Sequence, residues 1–157
     1  MRKVFLFHSH NKMYTTTIKF NIPKILEYIL NDLQELGARP ILVGGCVRDY
    51  FLNIPVKDYD VEIFGIDCFD TIENSLKKFG SVKLVGKSFG VLTLRVDNYD
   101  FDFALPRREK KIGNTHQDFE VITDANLSFK EAAIRRDFTI NAIGYDFSKK
   151  EFLDPFN

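Results

Sequence analysis

The chain has 157 residues, of which 45% are hydrophobic and 16 are phenylalanine. That length and composition suffice to bury one substantial core, which argues against disorder and favours a single domain. Basic and acidic residues both number 22, so the net charge of zero provides no bulk attraction to a polyanion. A nucleic-acid partner would need a local patch. Residues 107–111 (RREKK) are the best candidate, although such a run is more often a solvated loop.

We interpret residues 1–20 as an N-terminal leader or extension, followed by one domain over 21–157. The apolar run at 4–7 is too short for a signal peptide, and no stretch approaches the roughly 18 apolar residues of a membrane span. We therefore expect a cytoplasmic protein with no membrane partner, and no protein partner is evident. His8 and His10 lie in this leader with no third ligand nearby, which disfavours a metal site there.

The two cysteines, Cys46 and Cys68, lack the paired spacing of a zinc site. Two cysteines also cannot staple a domain of this size, so we expect both to be reduced thiols.

The first predicted helix starts near Pro23 and ends at Gly37, with apolar residues repeating at intervals of three and four. A strand over 40–43 then runs into the pair Gly44-Gly45, and a short helix follows. Glycines at such a turn let backbone N–H groups approach a phosphate.

The next predicted strand, 58–64, begins with Asp58-Tyr59-Asp60. Because side chains alternate along a strand, both carboxylates project from one face, roughly 6.5–7 Å apart, and can bind divalent cations. Glu62 continues the alternation and borders this predicted site.

A helix over 69–79 and three strands, 81–85, 91–96 and 99–105, follow. The short turns between these strands predict antiparallel neighbours, and alternation on the last strand separates Asp102 from the core-facing phenylalanines. Asp102 is thus a candidate third acid.

The polar segment 106–126 predicts a long loop. Ser128 and Glu131 then form a capping-box pattern that starts a helix, and a short helix through 140–142 precedes a hairpin over 144–153.

Five motifs in order resemble the head domain of the class II tRNA nucleotidyltransferase and poly(A) polymerase family. They are LVGGCVRD at 42–49, KDYDV at 57–61, VGKSFGV at 85–91, IRRDFTINAI at 134–143 and DPF at 154–156. The resemblance spans roughly residues 22–156. It implies an α+β, polymerase-beta-like nucleotidyltransferase fold with a small mixed, largely antiparallel sheet backed by helices.

The resemblance also assigns roles to individual residues. Asp58 and Asp60 would bind two Mg²⁺ ions, with Asp102 as the third catalytic acid. Asp102 stands where the family usually has Glu, which puts its reach in doubt. The predicted nucleotide contacts are phosphate binding by Gly44, Gly45 and Arg48, and sugar binding by Arg136, Asp137 and Asn141. Read without the resemblance, the pair Arg48–Asp49 and the run 135–137 are ordinary ion pairs, and Lys87 either approaches phosphate or only supports its turn.

The implied activity is transfer of NMP from CTP or ATP to an RNA 3′-hydroxyl with release of pyrophosphate, most simply CCA addition to the tRNA 3′ end. Poly(A) synthesis from ATP alone and a noncatalytic nucleotide-binding module remain alternatives. Family members continue into neck, body and tail regions that choose the base, so we expect this chain to be a catalytic piece without them.

Overall fold

The computed structural model describes residues 4–6, 14–16, 20–85, 90–111 and 119–156. Its helices are α1 (Lys24–Glu35), α2 (Gly45–Phe51), α3 (Phe69–Leu76) and α4 (Phe129–Ala133), with a 3-10 turn at Thr139–Ala142. Its strands are β1 (Val4–Leu6), β2 (Tyr14–Thr16), β3 (Arg39–Val43), β4 (Tyr59–Phe64), β5 (Ser81–Val85), β6 (Val91–Val96), β7 (Tyr99–Ala104), β8 (Arg107–Lys111), β9 (Phe119–Thr123), β10 (Gly144–Asp146) and β11 (Glu151–Leu153).

Seven strands form the central sheet in the order β11-β10-β3-β4-β7-β6-β5. Only β4 and β7 pair in parallel, whereas every other neighbouring pair in this sheet is antiparallel. The expected mixed, largely antiparallel sheet is therefore confirmed. The parallel pair matters most for the site, because it sets the two acid-bearing strands side by side.

Helices cover both faces of the sheet. The larger core lies on the face where α1 and α3 pack, and Leu30, Val61 and Phe103 are among its fully or almost fully buried members. A smaller core on the other face joins β3 and β4 to α4 through residues that include Val43 and Phe129. Because Asp60 and Phe64 have the same parity on β4, the site acids lie on the α4 face.

Most of the predicted elements are present. Leu26, Ile29, Leu30 and Leu33 of α1 are fully buried, as their spacing predicts, although Leu36 beyond the helix is exposed. Ser128 and Glu131 form a reciprocal capping box at the start of α4. The second predicted helix is shorter than expected, since α3 ends at Leu76 and residues 77–79 form a turn.

The prediction of a structureless loop over 106–126 is wrong. β8 and β9 lie in that segment and pair antiparallel over five residues. The sequence of β8 is RREKK, which has no alternation of polar and apolar residues, so periodicity gives no strand signal there. Pairing between backbone groups therefore forms a ribbon where the side-chain pattern of β8 predicts no strand.

The leader is outside the central sheet in the described residues, where β1 and β2 pair only with each other. His8 and His10 lie outside the described residues, as do Lys87 and the rest of the turn 86–89. Within the part of the chain that is described, no helix has the length and apolar character needed to cross a membrane. Cys46 and Cys68 are free thiols, as expected.

Candidate active site

Three predicted acids meet at the edge where β4 and β7 run in parallel. Asp60 of β4 is in register with Asp102 of β7, and Asp58 lies one residue before β4 begins. Strands pair about 4.8 Å apart, so the in-register side chains project beside each other. The structure thus brings together the two proposed metal ligands and the third acid, which stand 44 residues apart in the chain (102 − 58).

The electrostatics of Asp60 reflect this crowding. Although its side chain is exposed to solvent, partial burial raises its carboxyl pKa, and repulsion from Asp102, Asp58 and Glu62 raises the pKa further. Only Arg136 opposes these effects by lowering the pKa of Asp60. A cation placed between the acids would relieve the repulsion, as expected for a metal-binding edge.

Asp102 is held by a neighbour on the other side. Thr93 of β6 is in register with it, and the Thr93 hydroxyl donates to Asp102 Oδ1 at 2.6 Å. This bond fixes the carboxylate and leaves Oδ2 for other partners. Thr93 is a site residue that the sequence reasoning missed, because only the strand register reveals it.

The glycine turn packs against Asp60. Gly44 has φ of 70°, a conformation that favours glycine, and a Cβ added there would lie 3.2 Å from Asp60 Oδ2 and 3.5 Å from Arg136 Nη1. A Cβ there would press on the Asp60 carboxylate and would stand in ordinary van der Waals contact with the Arg136 guanidinium. Gly44, Asp60 and Arg136 therefore converge on one point.

The remaining predicted nucleotide contacts form a second group beside the first. Arg48 Nε donates to Asp49 Oδ1 at 2.8 Å, and Arg48 Nη1 makes a long contact of 3.5 Å with Asn141 Oδ1. Asn141 Nδ2 in turn lies 3.4 Å from Asp137 Oδ1. This network ties α2 to the 3-10 turn, and Gly45 lies under the Arg48 guanidinium.

Glu62 has a role that the sequence did not indicate. It is only 3% exposed, and its Oε1 accepts hydrogen bonds from Arg135 Nη2 and Arg136 Nη2, each at 2.8 Å. The ion-pair alternative considered for the run 135–137 is thus present for both arginines, with Glu62 as the partner. The sequence signal that was available is the place of Glu62 between the apolar residues Val61 and Ile63, because a carboxylate buried in such a strand needs cationic partners.

Cys46 lies behind the site and is inert. Burial raises its pKa to about 12, so the thiol stays protonated, and it donates to the carbonyl oxygen of Val43 at 3.1 Å.

The donor set fits a hard divalent cation only in part. Carboxylate oxygens are the ligands that Mg²⁺ prefers, and the repulsion at Asp60 favours a cation. Among the residues that the structure describes, however, no three His, Cys, Asp or Glu side chains are arranged as a ready metal-binding cluster. Mg²⁺ commonly uses one or two carboxylates plus substrate phosphates, and Asp58 with Asp60 matches that pattern.

The mixed sheet, with acids on adjacent parallel strands and a glycine turn against them, defines a polymerase-beta-like nucleotidyltransferase domain. The family comparison agrees with this class. The chain belongs to the Poly A polymerase head domain family, whose model matches residues 41–157.

The similar proteins are CCA-adding enzymes and related tRNA nucleotidyltransferases. A CCA-adding enzyme of Buchnera aphidicola subsp. Schizaphis graminum is 40% identical over 115 residues, which are 73% of this chain and 26% of that protein. The chain therefore spans about a quarter of the length of that relative.

Two solved structures share the fold. The Bacillus stearothermophilus CCA-adding enzyme in complex with CTP has a TM-score of 0.61 at 25% identity, covering 85% of this chain and 29% of that one. A tRNA nucleotidyltransferase complexed with a primer tRNA and an incoming ATP analog has a TM-score of 0.60 at 26% identity, covering 82% and 34%.

Proposed function

We propose that this chain is the catalytic head of a metal-dependent RNA nucleotidyltransferase that adds nucleotides to an RNA 3′ end, with CCA addition to tRNA as the reaction. The observation that carries the proposal is the in-register pair Asp60 and Asp102, with Asp58 alongside and Gly44 packed against Asp60. The names of the relatives support the choice of tRNA and of CTP and ATP as substrates.

In this reaction the RNA 3′-hydroxyl oxygen attacks the α-phosphorus of the nucleoside triphosphate. The bond from that phosphorus to the bridging oxygen breaks, and pyrophosphate leaves. Asp58 and Asp60 would hold two Mg²⁺ ions, as the family resemblance implies, and the bound ions would neutralise phosphate charge. Asp102, with Oδ1 held by Thr93, would use Oδ2 to accept the proton of the attacking hydroxyl.

The nucleotide would lie between the two groups of site residues. Gly44, Gly45 and Arg48 would bind the triphosphate, because guanidinium and backbone N–H groups suit phosphate oxygens. Arg136, Asp137 and Asn141 would contact the ribose, with the Asp137 carboxylate accepting from its hydroxyls.

Substitution of Asp137 tests the ribose contact. We expect Asp137→Ala to reduce the preference for ATP over dATP by about tenfold, which corresponds to the loss of one charge-assisted hydrogen bond. Competition binding with the two nucleotides measures the ratio. A preference equal to that of the unsubstituted chain would remove the ribose role from Asp137.

The products formed on RNA test the function. The full-length protein is incubated with Mg²⁺, CTP, ATP and tRNA that lacks its terminal CCA, and the extended ends are sequenced. Ordered addition of C, C and A supports the proposal, and runs of A would instead favour poly(A) synthesis, which the family description also allows. Metal-dependent nucleotide binding without any extension would favour the noncatalytic alternative.

We place the reaction in the cytoplasm, which cell fractionation tests.

A further inference from the structure

Asp60 and Glu62 stand two residues apart on the same face of β4 but differ in their surroundings. Asp60 is exposed at the acid edge, whereas Glu62 is buried and bound to two guanidinium groups. A buried carboxylate with this pairing is costly to disturb. The Glu62 carboxylate lies close enough to the proposed metal ligands to influence their surroundings.

Arg136 connects the two carboxylates. Its Nη2 binds Glu62 Oε1 at 2.8 Å, while its Nη1 lies 3.5 Å from the position where a Cβ of Gly44 would stand. Asp60 Oδ2 lies 3.2 Å from that same position. One guanidinium therefore spans from the buried acid to the edge of the site, and only 14% of the Arg136 side chain is exposed.

In the structure Arg136 forms an ion pair with Glu62, and no pair between Arg136 and Asp60 lies within 4.0 Å among the described residues. If Glu62 did not bind Arg136, Asp60 would be a neighbouring carboxylate with which this guanidinium could pair, since both groups lie beside the Gly44 Cβ position. A direct pair with Asp60 would occupy an oxygen that the proposed function needs for a cation. Attraction between opposite charges would favour this pairing of Arg136 with Asp60.

We propose that Glu62 is a positioning residue that holds Arg136 away from Asp60, keeping the Asp60 carboxylate open to a divalent cation and the outer face of the guanidinium open to the nucleotide. This inference rests on the proposed function for the identity of the ligands. Arg135 shares the same oxygen of Glu62 but lies more than 4 Å from the position of a Cβ at Gly44, so it serves as an internal comparison.

Binding of Mn²⁺ alone, followed by electron paramagnetic resonance, tests the inference without turnover. Glu62→Gln keeps the shape but removes the charge, and we expect it to weaken Mn²⁺ binding by about tenfold because Asp60 must first give up Arg136. In an Arg136→Gln background, the same change at Glu62 should alter the affinity by less than about twofold. An equal loss in both backgrounds would show a simple charge effect and overturn the inference.

Two further variants separate positioning from stability. Glu62→Asp keeps the charge but withdraws it by one methylene. A positioning role predicts that this variant binds Mn²⁺ more weakly, whereas a pure charge role predicts unchanged Mn²⁺ affinity. Arg135→Gln disturbs the same buried cluster but leaves the bond between Glu62 and Arg136, so we expect its Mn²⁺ affinity within about twofold of the parent. A loss equal to that of Glu62→Gln would overturn the inference. Circular dichroism confirms that each variant is folded.

A metal-free crystal structure of Glu62→Gln, or of Glu62→Asp if the first variant does not fold, separates this inference from the proposed function. Movement of the Arg136 guanidinium onto Asp60 supports the inference even if the parent chain binds no Mn²⁺, an outcome that would count against the metal assignment instead. An Arg136 that stays beside Gly44 overturns the inference whatever the chain binds.

Discussion

Two neighbouring clusters of charge on β4 differ in how their charges are balanced. At the acid edge, Asp58, Asp60 and Asp102 repel one another, and the pKa of Asp60 is raised. At the buried cluster, Glu62 is paired with two arginines and almost fully shielded from water. The repulsion at the acid edge has no nearby cation except Arg136 to offset it, whereas the Glu62 carboxylate has two arginines as ion-pair partners, although Glu62 Oε2, Arg135 Nε and Arg136 Nε are buried without a hydrogen-bond partner. Asp60, at an edge suited to cation binding, and Glu62, in a buried ion-pair cluster, therefore lie only two residues apart on one strand.

The largest expected effect is on the acid edge. We expect the double change Asp58→Ala and Asp60→Ala to lower NMP incorporation by about 10³-fold, because it removes the two proposed metal ligands and with them several kcal/mol of transition-state stabilisation. A gel-based primer-extension assay measures the rate, and circular dichroism checks folding. The paired change Glu35→Ala and Asp67→Ala, which also removes two exposed carboxylates, serves as the control and should leave the rate unchanged. Unchanged incorporation in the first variant would contradict the metal assignment.

Substitutions in the buried cluster of Glu62, Arg135 and Arg136 should change the stability of the fold. We expect Glu62→Ala to lower the free energy of unfolding by about 3 kcal/mol, since it leaves two largely buried guanidinium groups without their carboxylate. Urea unfolding measures this change. Asp60→Ala in the same assay should not destabilise the chain. If both variants lost equal stability, the contrast between the two clusters would be wrong.

The smallest effect concerns the repulsion at Asp60. Its raised pKa means that the folded chain binds this proton more tightly than the unfolded chain does, so Asp60 favours folding only when protonated. That contribution is present below the unfolded pKa and is lost as the pH rises through the raised folded pKa. At neutral pH without metal, Asp60→Asn should therefore raise the melting temperature, by about 1–2 °C after solvent screening is allowed for.

The pH dependence sharpens this prediction. The gain from Asp60→Asn should shrink as the pH falls below the folded pKa of Asp60, because the parent carboxyl is then neutral as well. Thermal unfolding in the presence of a chelator measures both variants across pH. Asp67→Asn, at an exposed position beyond the end of β4 opposite to Asp60, is the matched control. A gain independent of pH would show that charge repulsion is not its cause.

The sequence predicted the acid edge because both of its strands carry clear alternation. Asp58 and Asp60 alternate with Tyr59, and Asp102 lies between Phe101 and Phe103, both of which are fully buried. The parallel pairing that places Asp60 in register with Asp102 was not predictable in this way, since it depends on strands brought together across the chain.

The buried cluster and the β8–β9 ribbon escaped prediction for different reasons. Glu62 and its arginine partners are separated by 73 and 74 residues, so no local pattern links them. The ribbon is formed by backbone pairing, and all five residues of its strand β8 are charged, so that strand lacks the periodicity on which sequence reasoning depends. The spacing of apolar residues shows which face of a strand or helix is buried, but it does not identify the partners of a buried charge.

A crystal structure of the chain with Mg²⁺ and ATP or CTP tests the central claim most directly. The account predicts Mg²⁺ bound by Asp58 and Asp60, with the triphosphate along Gly44, Gly45 and Arg48. A nucleotide bound elsewhere on the chain, or a metal ion held without either aspartate, would contradict it.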